Sequence, residues 1–251
     1  IKLVININKK KDSIMNKLTT IIASTAIAML SFASTANSIE YKVGLTGQAT
    51  AVYGSAEEQL KDAGRKTQDT ALGAFSYMSG FAEVSLESAM GLTLGLEYTP
   101  DLMEFPTADR IIRTSAFDVG GANANVTGED NAGTQTMKAS VEEMVTVYVA
   151  MPLMDTGLHV KLGYSEATLL TEESLSTGSS YGNVDLHSMS AGMYYDGDLG
   201  DMAFYRLEGS YTAYDDIIAT GSEVGSDGAS YNKIKAELGG VAAKLSLGLR
   251  F

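Results

Sequence analysis

From Val241 to Phe251 every second residue is apolar: Val241, Ala243, Leu245, Leu247, Leu249 and Phe251 share one face, and Ala242, Lys244, Ser246, Gly248 and Arg250 share the other. Side chains of a strand alternate between faces with period two, so this segment specifies a β-strand with one apolar and one polar side. The same alternation recurs at Leu92–Tyr98, Leu158–Tyr164 and Ala203–Ala213. Less regular segments at about 41–53, 71–86, 136–151 and 184–195 bring the expected count to eight strands. No apolar stretch after residue 38 approaches the ~20 residues of a helical membrane span.

The connections sort by length. Ser88–Gly91, Met154–Gly157 and Asp196–Asp201 read as tight turns, whereas 54–70, 100–135, 172–183 and 218–231 read as long polar loops. Short and long alternate strictly. In an up-and-down sheet one end then carries all the short turns, both outer strand ends included, and the other carries all the long loops. A β-sandwich has no reason to segregate loop length in this way, but a membrane-spanning β-barrel does.

At this point the segment Leu245-x-Leu-x-Leu-x-Phe251 becomes informative. It resembles the C-terminal strand of bacterial outer-membrane β-barrels, and the resemblance extends over residues 39–251. In size and strand count the chain is similar to the small eight-stranded barrels of the OmpA, OmpX and opacity-protein type. The resemblance implies an all-β fold, a transmembrane up-and-down antiparallel barrel, located in the cell outer membrane of a Gram-negative bacterium. It implies contact with outer-membrane lipid, and Leu245, Leu247, Leu249 and Phe251 as the signal read by the barrel-insertion machinery. The chain departs from the family in having no Trp, so its 13 Tyr and 7 Phe must supply the interfacial girdles. Tyr41, Tyr53, Tyr98, Tyr164, Tyr195 and Tyr211 lie near strand ends, where girdle residues belong.

The first 38 residues carry an address. Lys17 precedes an apolar stretch from Leu18 to Ala33 and then the small residues Ser34-Thr-Ala-Asn-Ser38, the pattern of a secretory signal peptide. Ala36 at −3 and Ser38 at −1 fit cleavage before Ile39, and cleavage after Ala36 fits nearly as well. Met15-Asn-Lys is a natural start, which makes 1–14 an upstream extension. The chain has 18 basic and 31 acidic residues; 1–38 hold five Lys and one Asp, so 39–251 keep 13 and 30, a net charge of −17. That balance excludes a nucleic-acid partner, which needs a basic patch. With no Cys and two His there is no disulfide framework, no thiolate zinc site and no cysteine nucleophile.

An uncompensated Lys or Arg at the lipid midplane costs roughly 2–4 kcal/mol, so the charged side chains within strands must point inward. Glu83, Glu97, Lys161, Arg206, Glu208, Lys244 and Arg250 all fall on polar faces. An eight-stranded barrel is just wide enough for side chains to fill, and the expectation is a lumen closed by paired charges; the alternative is a narrow pore or porin-like channel through them.

Catalytic, cofactor and metal motifs are not found. His159 falls on a lumen-facing position and His187 near the loop end of its strand; Ser188, the neighbouring hydroxyl, points to the opposite face, which argues against an outer-leaflet lipid-modifying enzyme with a Ser-His-acid site. Asp196-Gly-Asp-Leu-Gly-Asp201 lacks the spacing of a calcium loop and reads as a turn. Asn125-Val-Thr127 matches a glycosylation sequon of little weight in bacteria. The Gly- and Asn-rich stretch Gly120–Gly133 lies in a loop longer than a passive connection needs. The expected role is therefore non-enzymatic, structural or surface-interacting through long extracellular loops, with any extracellular ligand unspecified. A soluble secreted β-barrel is the rival fold.

Overall fold

The computed structural model describes residues 39–59, 66–86, 90–104, 108–112, 133–174, 180–224 and 231–251. The expected leader with Ala36 and Ser38, and the Asn125-Val-Thr127 stretch, lie outside the described residues. Ten strands follow in order: β1 (Ile39–Gln59), β2 (Lys66–Leu86), β3 (Leu92–Glu104), β4 (Ala108–Ile112), β5 (Gly133–Pro152), β6 (Leu158–Ser174), β7 (Val184–Asp198), β8 (Ala203–Tyr214), β9 (Ile217–Val224) and β10 (Tyr231–Arg250). Every pairing is antiparallel, in the order β1-β2-β3-β5-β6-β7-β8-β10, and β10 returns to pair with β1. β4 continues β3 along β5, and β9 continues β8 along β10. Ten segments thus occupy eight positions, and the sheet closes into an eight-stranded up-and-down barrel.

Closure reaches the last residue. The Phe251 N–H donates to the Tyr41 carbonyl at 2.9 Å, and the Tyr41 N–H to the Phe251 carbonyl at 3.1 Å. Ladder partners followed once around the barrel from Lys42 pass Glu83, Gly95, Tyr148, Gly163, Ser190, Thr212 and Gly240 and return at Val52, ten residues further along β1. A stagger of that size goes with strands tilted by about 40°. It is this stagger that sets which inward side chains face each other across the lumen.

The short turns all lie at one end, together with Tyr41 and Phe251. The Gly91 N–H bonds to the Leu86 carbonyl, Leu153 to Leu158, and Leu199 to Ala203. Gly91 and Gly157 take φ of 74° and 75° in two of these turns, a conformation open to glycine without strain.

At the other end the expected loop boundaries require correction. Residues assigned to loops at 54–59, 66–70, 100–104, 108–112, 133–135, 172–174, 218–224 and 231 belong to strands. β1 and β2 each run for 21 residues and β5 and β10 for 20, about twice the 9–11 needed to cross a bilayer. The reason is visible in β10. Below Gly239-Gly240 the outward residues Val241, Leu245, Leu247 and Leu249 are exposed and apolar, while Lys244 and Ser246 point inward. Above it the outward residues are Lys233, Lys235 and Glu237, and Ala236 and Leu238 turn in to pack against the interior. β1 inverts in the same way after Tyr53, β6 after Ser165 and β7 at His187. One strand therefore carries two alternations of opposite phase, and a single-phase search sees only half of it.

The outer apolar band on β1 spans Tyr41 to Tyr53, twelve residues apart. That separation is about 40 Å along the strand and about 30 Å in height once tilted, the thickness of a bilayer's hydrocarbon core. Above the band the barrel has the polarity of a water-soluble protein, polar outside and apolar inside.

Candidate functional site: a sealed lumen under an apolar cap

Within the band the lumen is filled from the turn end upward. Arg206, on β8, is the largest buried side chain, 1% exposed. Its guanidinium donates to both Glu83 oxygens and, through Nε and Nη2, to Asp196 at 2.6 and 2.9 Å. Asp196 also takes Lys42 at 3.2 Å, and Tyr148 donates its hydroxyl to Glu83 at 2.7 Å. Around this layer Phe81 and Phe204 meet edge to face with ring centroids 6.3 Å apart, and Arg206 lies against the Tyr194 ring at 3.8 Å.

A second layer follows. Glu97 and Glu208 share Lys161 and Lys244: Lys161 Nζ lies 3.4 Å from Glu97 and 3.0 Å from Glu208, and Lys244 Nζ lies 3.0 and 3.7 Å from the same two. Ser79 adds a bond to Glu97 at 2.7 Å. Across both layers four carboxylates (Glu83, Glu97, Asp196, Glu208) meet four cations (Lys42, Lys161, Arg206, Lys244), and the partly exposed Glu40 adds a fifth carboxylate 3.2 Å from Lys42 Nζ. Buried charges are tolerated only when paired and hydrogen-bonded in this manner. Arg250 sits at the rim instead, with its Nη2 donating to Asp198 at 2.6 Å.

Above the lattice Gln48 donates to Thr50 at 2.6 Å and to Tyr77 at 2.5 Å. Then Val52, Val141, Met144, Ala167, Leu186 and Ile217 form an apolar cluster against which Phe75, Leu169, Val184 and Leu238 pack. The ladder is irregular at this height: β3 shifts register between Asp101 and Met103, and two further bulges bear on the cap. One extra residue enters β5 between Glu142 and Val145, with Glu143 at φ 54°, and another enters where β8 passes into β9 opposite β10. Each shifts its strand's inward face by one residue, which brings Val141 and Ile217 into the cap.

Four members of the lower layer were missing from the sequence assignment. Asp196 was placed in a turn, but β7 continues to Asp198 and carries it into the lumen, because the turn narrows to Leu199–Met202. Lys42, Tyr148 and Tyr194 sit on strands whose alternation is irregular, and only the stagger shows that they meet Arg206 and Glu83.

The histidines separate. His159 stacks on Tyr194 inside, rings 4.6 Å apart and 5° from parallel. His187 lies on the outer wall, where Nδ1 pairs with the Tyr164 hydroxyl at 2.9 Å, while Ser188 is buried in the lumen. Ser188, next to His187 in sequence, is therefore not its partner. Among the described residues no cluster of His, Asp and Glu could hold a metal ion. At the rim of the extension the Asp216 carboxylate, bonded to the Lys235 ammonium, holds that lysine above its ordinary pKa, with Glu237 adding to the effect.

No protein-family model and no curated protein matches the chain. Among solved structures, the outer membrane protein OprG from Pseudomonas aeruginosa is similar over 86% of this chain and 97% of its own, at 12% identity and a TM-score of 0.50. The fold is that of a small outer-membrane β-barrel. The outer membrane protease OmpT from Escherichia coli is more distantly similar: 13% identity, 86% of this chain, 98% of its own and a TM-score of 0.41. Neisserial surface protein A gives 10% identity, 80% and 95% coverage and a TM-score of 0.34. At these identities the likeness concerns the fold alone, so a role for this barrel has to come from its own lumen and surface.

Proposed function

We propose that the chain is a non-enzymatic protein of the Gram-negative outer membrane. In this proposal it is exported by a signal peptide cleaved before Ile39, is inserted with its terminal strand as the recognition signal, and works through the surface it raises above the bilayer. The observation that carries this reading is the phase inversion. It gives the barrel a soluble-type extension, apolar inside and polar outside, on the side opposite the short turns. A barrel made only to span or to conduct has no use for that extension. A stable platform for the connections 60–65, 105–107, 113–132, 175–179 and 225–230 does, and such connections are where a surface protein meets its partner.

The burial of Arg206, Tyr194 and Phe204, each at most 1% exposed, supports this reading over a pore. Purified protein in a planar bilayer is expected to leave the bare membrane current unchanged. A steady conductance altered by Arg206→Ala would reverse this reading in favour of a channel. Replacement of 113–132 by a short Gly-Ser linker is expected to remove binding of cells to an adhesion substrate while outer-membrane fractionation and heat-dependent gel mobility stay the same. Unchanged adhesion would sink the surface role through that loop. A lipid A mass spectrum changed by expression would overturn the non-enzymatic reading.

A further inference from the structure

On the outer wall, where the apolar band ends, a groove of about 780 Å³ crosses β2, β1, β10 and the β8–β9 junction. That is the size of a small-ligand site. Its membrane side is formed by Tyr53, Tyr211 and Leu72, and its outer rim by Ser55, Thr70, Asp216 and Glu237.

Two features of the backbone build it. Tyr53 and Tyr211 belong to strands on either side of β10, yet their hydroxyls meet at 2.9 Å. They can do so because the position between them is Gly239: a Cβ there would stand 2.6 Å from the Tyr53 hydroxyl and 2.7 Å from Cζ. On the far side Tyr214, Asp215 and Asp216 oppose only Glu237 and Leu238, between the Ala213–Gly239 and Ile217–Ala236 pairs. This bulge interrupts the ladder where Tyr214 and Leu238 line the groove, their side chains turning inward.

The chemistry of the lining is selective. It presents two carboxylates with the Lys235 ammonium between them, the Tyr53 and Tyr211 phenols and two hydroxyls, while the Tyr214 phenol turns the other way, toward Tyr77 and Lys244 in the lumen. The neighbouring Lys235 is already held by Asp216 at 2.9 Å and Glu237 at 3.2 Å. A phosphate placed here would face two like charges that outnumber the single ammonium they share. A sugar ring would instead donate hydroxyls to the carboxylates and lay its C–H face on the phenol rings, while an attached acyl chain would run down over Leu72 into the apolar band.

We propose that this groove binds one glycolipid of the outer leaflet, its sugar headgroup held between the Tyr53–Tyr211 pair and the Asp216–Glu237 rim. The inference rests on the membrane-spanning reading. The test uses the full chain in phosphatidylcholine nanodiscs doped with monoglucosyl diacylglycerol, phosphatidylethanolamine or phosphatidylglycerol, with retained lipid read by native mass spectrometry. The glucosyl lipid is expected to stay bound where the other two are lost. Tyr211→Ala and the surface variant Glu237→Gln are each expected to lower its retained fraction at least fivefold, and Met193→Ala, elsewhere on the lipid-facing wall, to leave it unchanged. Equal retention in all variants, or a preference for either phospholipid, overturns the proposal. Heat-dependent gel mobility of the wild type checks the barrel separately: mobility that shifts without a glucosyl adduct sinks the groove alone, and mobility that never shifts sinks the membrane reading.

Discussion

The Arg206 guanidinium lies 3.8 Å from the centre of the Tyr194 ring while its nitrogens hold two carboxylates, Glu83 and Asp196. A planar cation can satisfy acids along its edge and an aromatic ring on its face at the same time, which a lysine ammonium cannot. This one side chain joins β8 to β2 and β7 inside the lumen.

Arg206→Met is therefore expected to destabilise the barrel by about 3–5 kcal/mol, since it strands buried carboxylates. Arg206→Lys should fall between it and the wild type. Urea unfolding of the detergent-solubilised protein measures both, and an unchanged midpoint in Arg206→Met would show that the lattice contributes nothing.

Gly95 faces Tyr148 across the β3–β5 ladder, and a Cβ on Gly95 would run into the Tyr148 ring. That ring also lies 4.0 Å from Lys161 Nζ, and its hydroxyl holds Glu83. Gly95→Ala should destabilise by about 1–3 kcal/mol through overpacking. In a double-mutant cycle it should be non-additive with Tyr148→Ala, because the smaller partner removes the clash; additive midpoints would mean the ring has another place to go.

The inversion of polarity predicts two different failures. Leu186→Ala, in the cap, should cost about 2–4 kcal/mol and appear as faster amide exchange in β5, β6 and β7 above the band, with insertion intact. Leu247→Arg, on the lipid face, should cost roughly 2–4 kcal/mol near the midplane and appear as reduced insertion into vesicles. If both variants failed in the same assay, the two halves would not be separate environments.

β9 pairs along its length with β10 only; toward β7 it has the Tyr181–Gly221 bridge and the Ser222 N–H to Ser180 carbonyl bond. Amides of Ile218 and Thr220 are expected to exchange faster than those of Leu207 and Gly209 in β8, which is paired on both sides. Hydrogen exchange resolved by residue would check this, and equal protection would place a stabilising partner on that edge.

The barrel could be read from Val241–Phe251 and from the alternation of short and long connections, because an apolar face toward lipid imposes period two on each strand separately. Glu83, Glu97, Lys161, Arg206 and Glu208 are buried on the polar faces where the alternation puts them, whereas Arg250 lies at the rim. What single strands do not encode is the ten-residue stagger, and without it Lys42, Tyr148, Tyr194 and Asp196 could not be matched to Arg206 and Glu83. The upper halves of the strands were read as loops because Lys233, Lys235 and Glu237 look like loop residues when the lipid-facing phase is carried past Gly239-Gly240. Those glycines were the available signal: they stand where the apolar residues change from odd to even positions.

The hydroxyls of Thr46 and Ser246 bond at 2.8 Å across 200 residues of chain. They sit in the β1–β10 seam, so the first of the described strands is completed by the last. Loop closure over so long a separation is slow, and until it happens β1 offers an unpaired edge along its whole length. The barrel cannot close piecemeal, and its most vulnerable interval is the wait for β10.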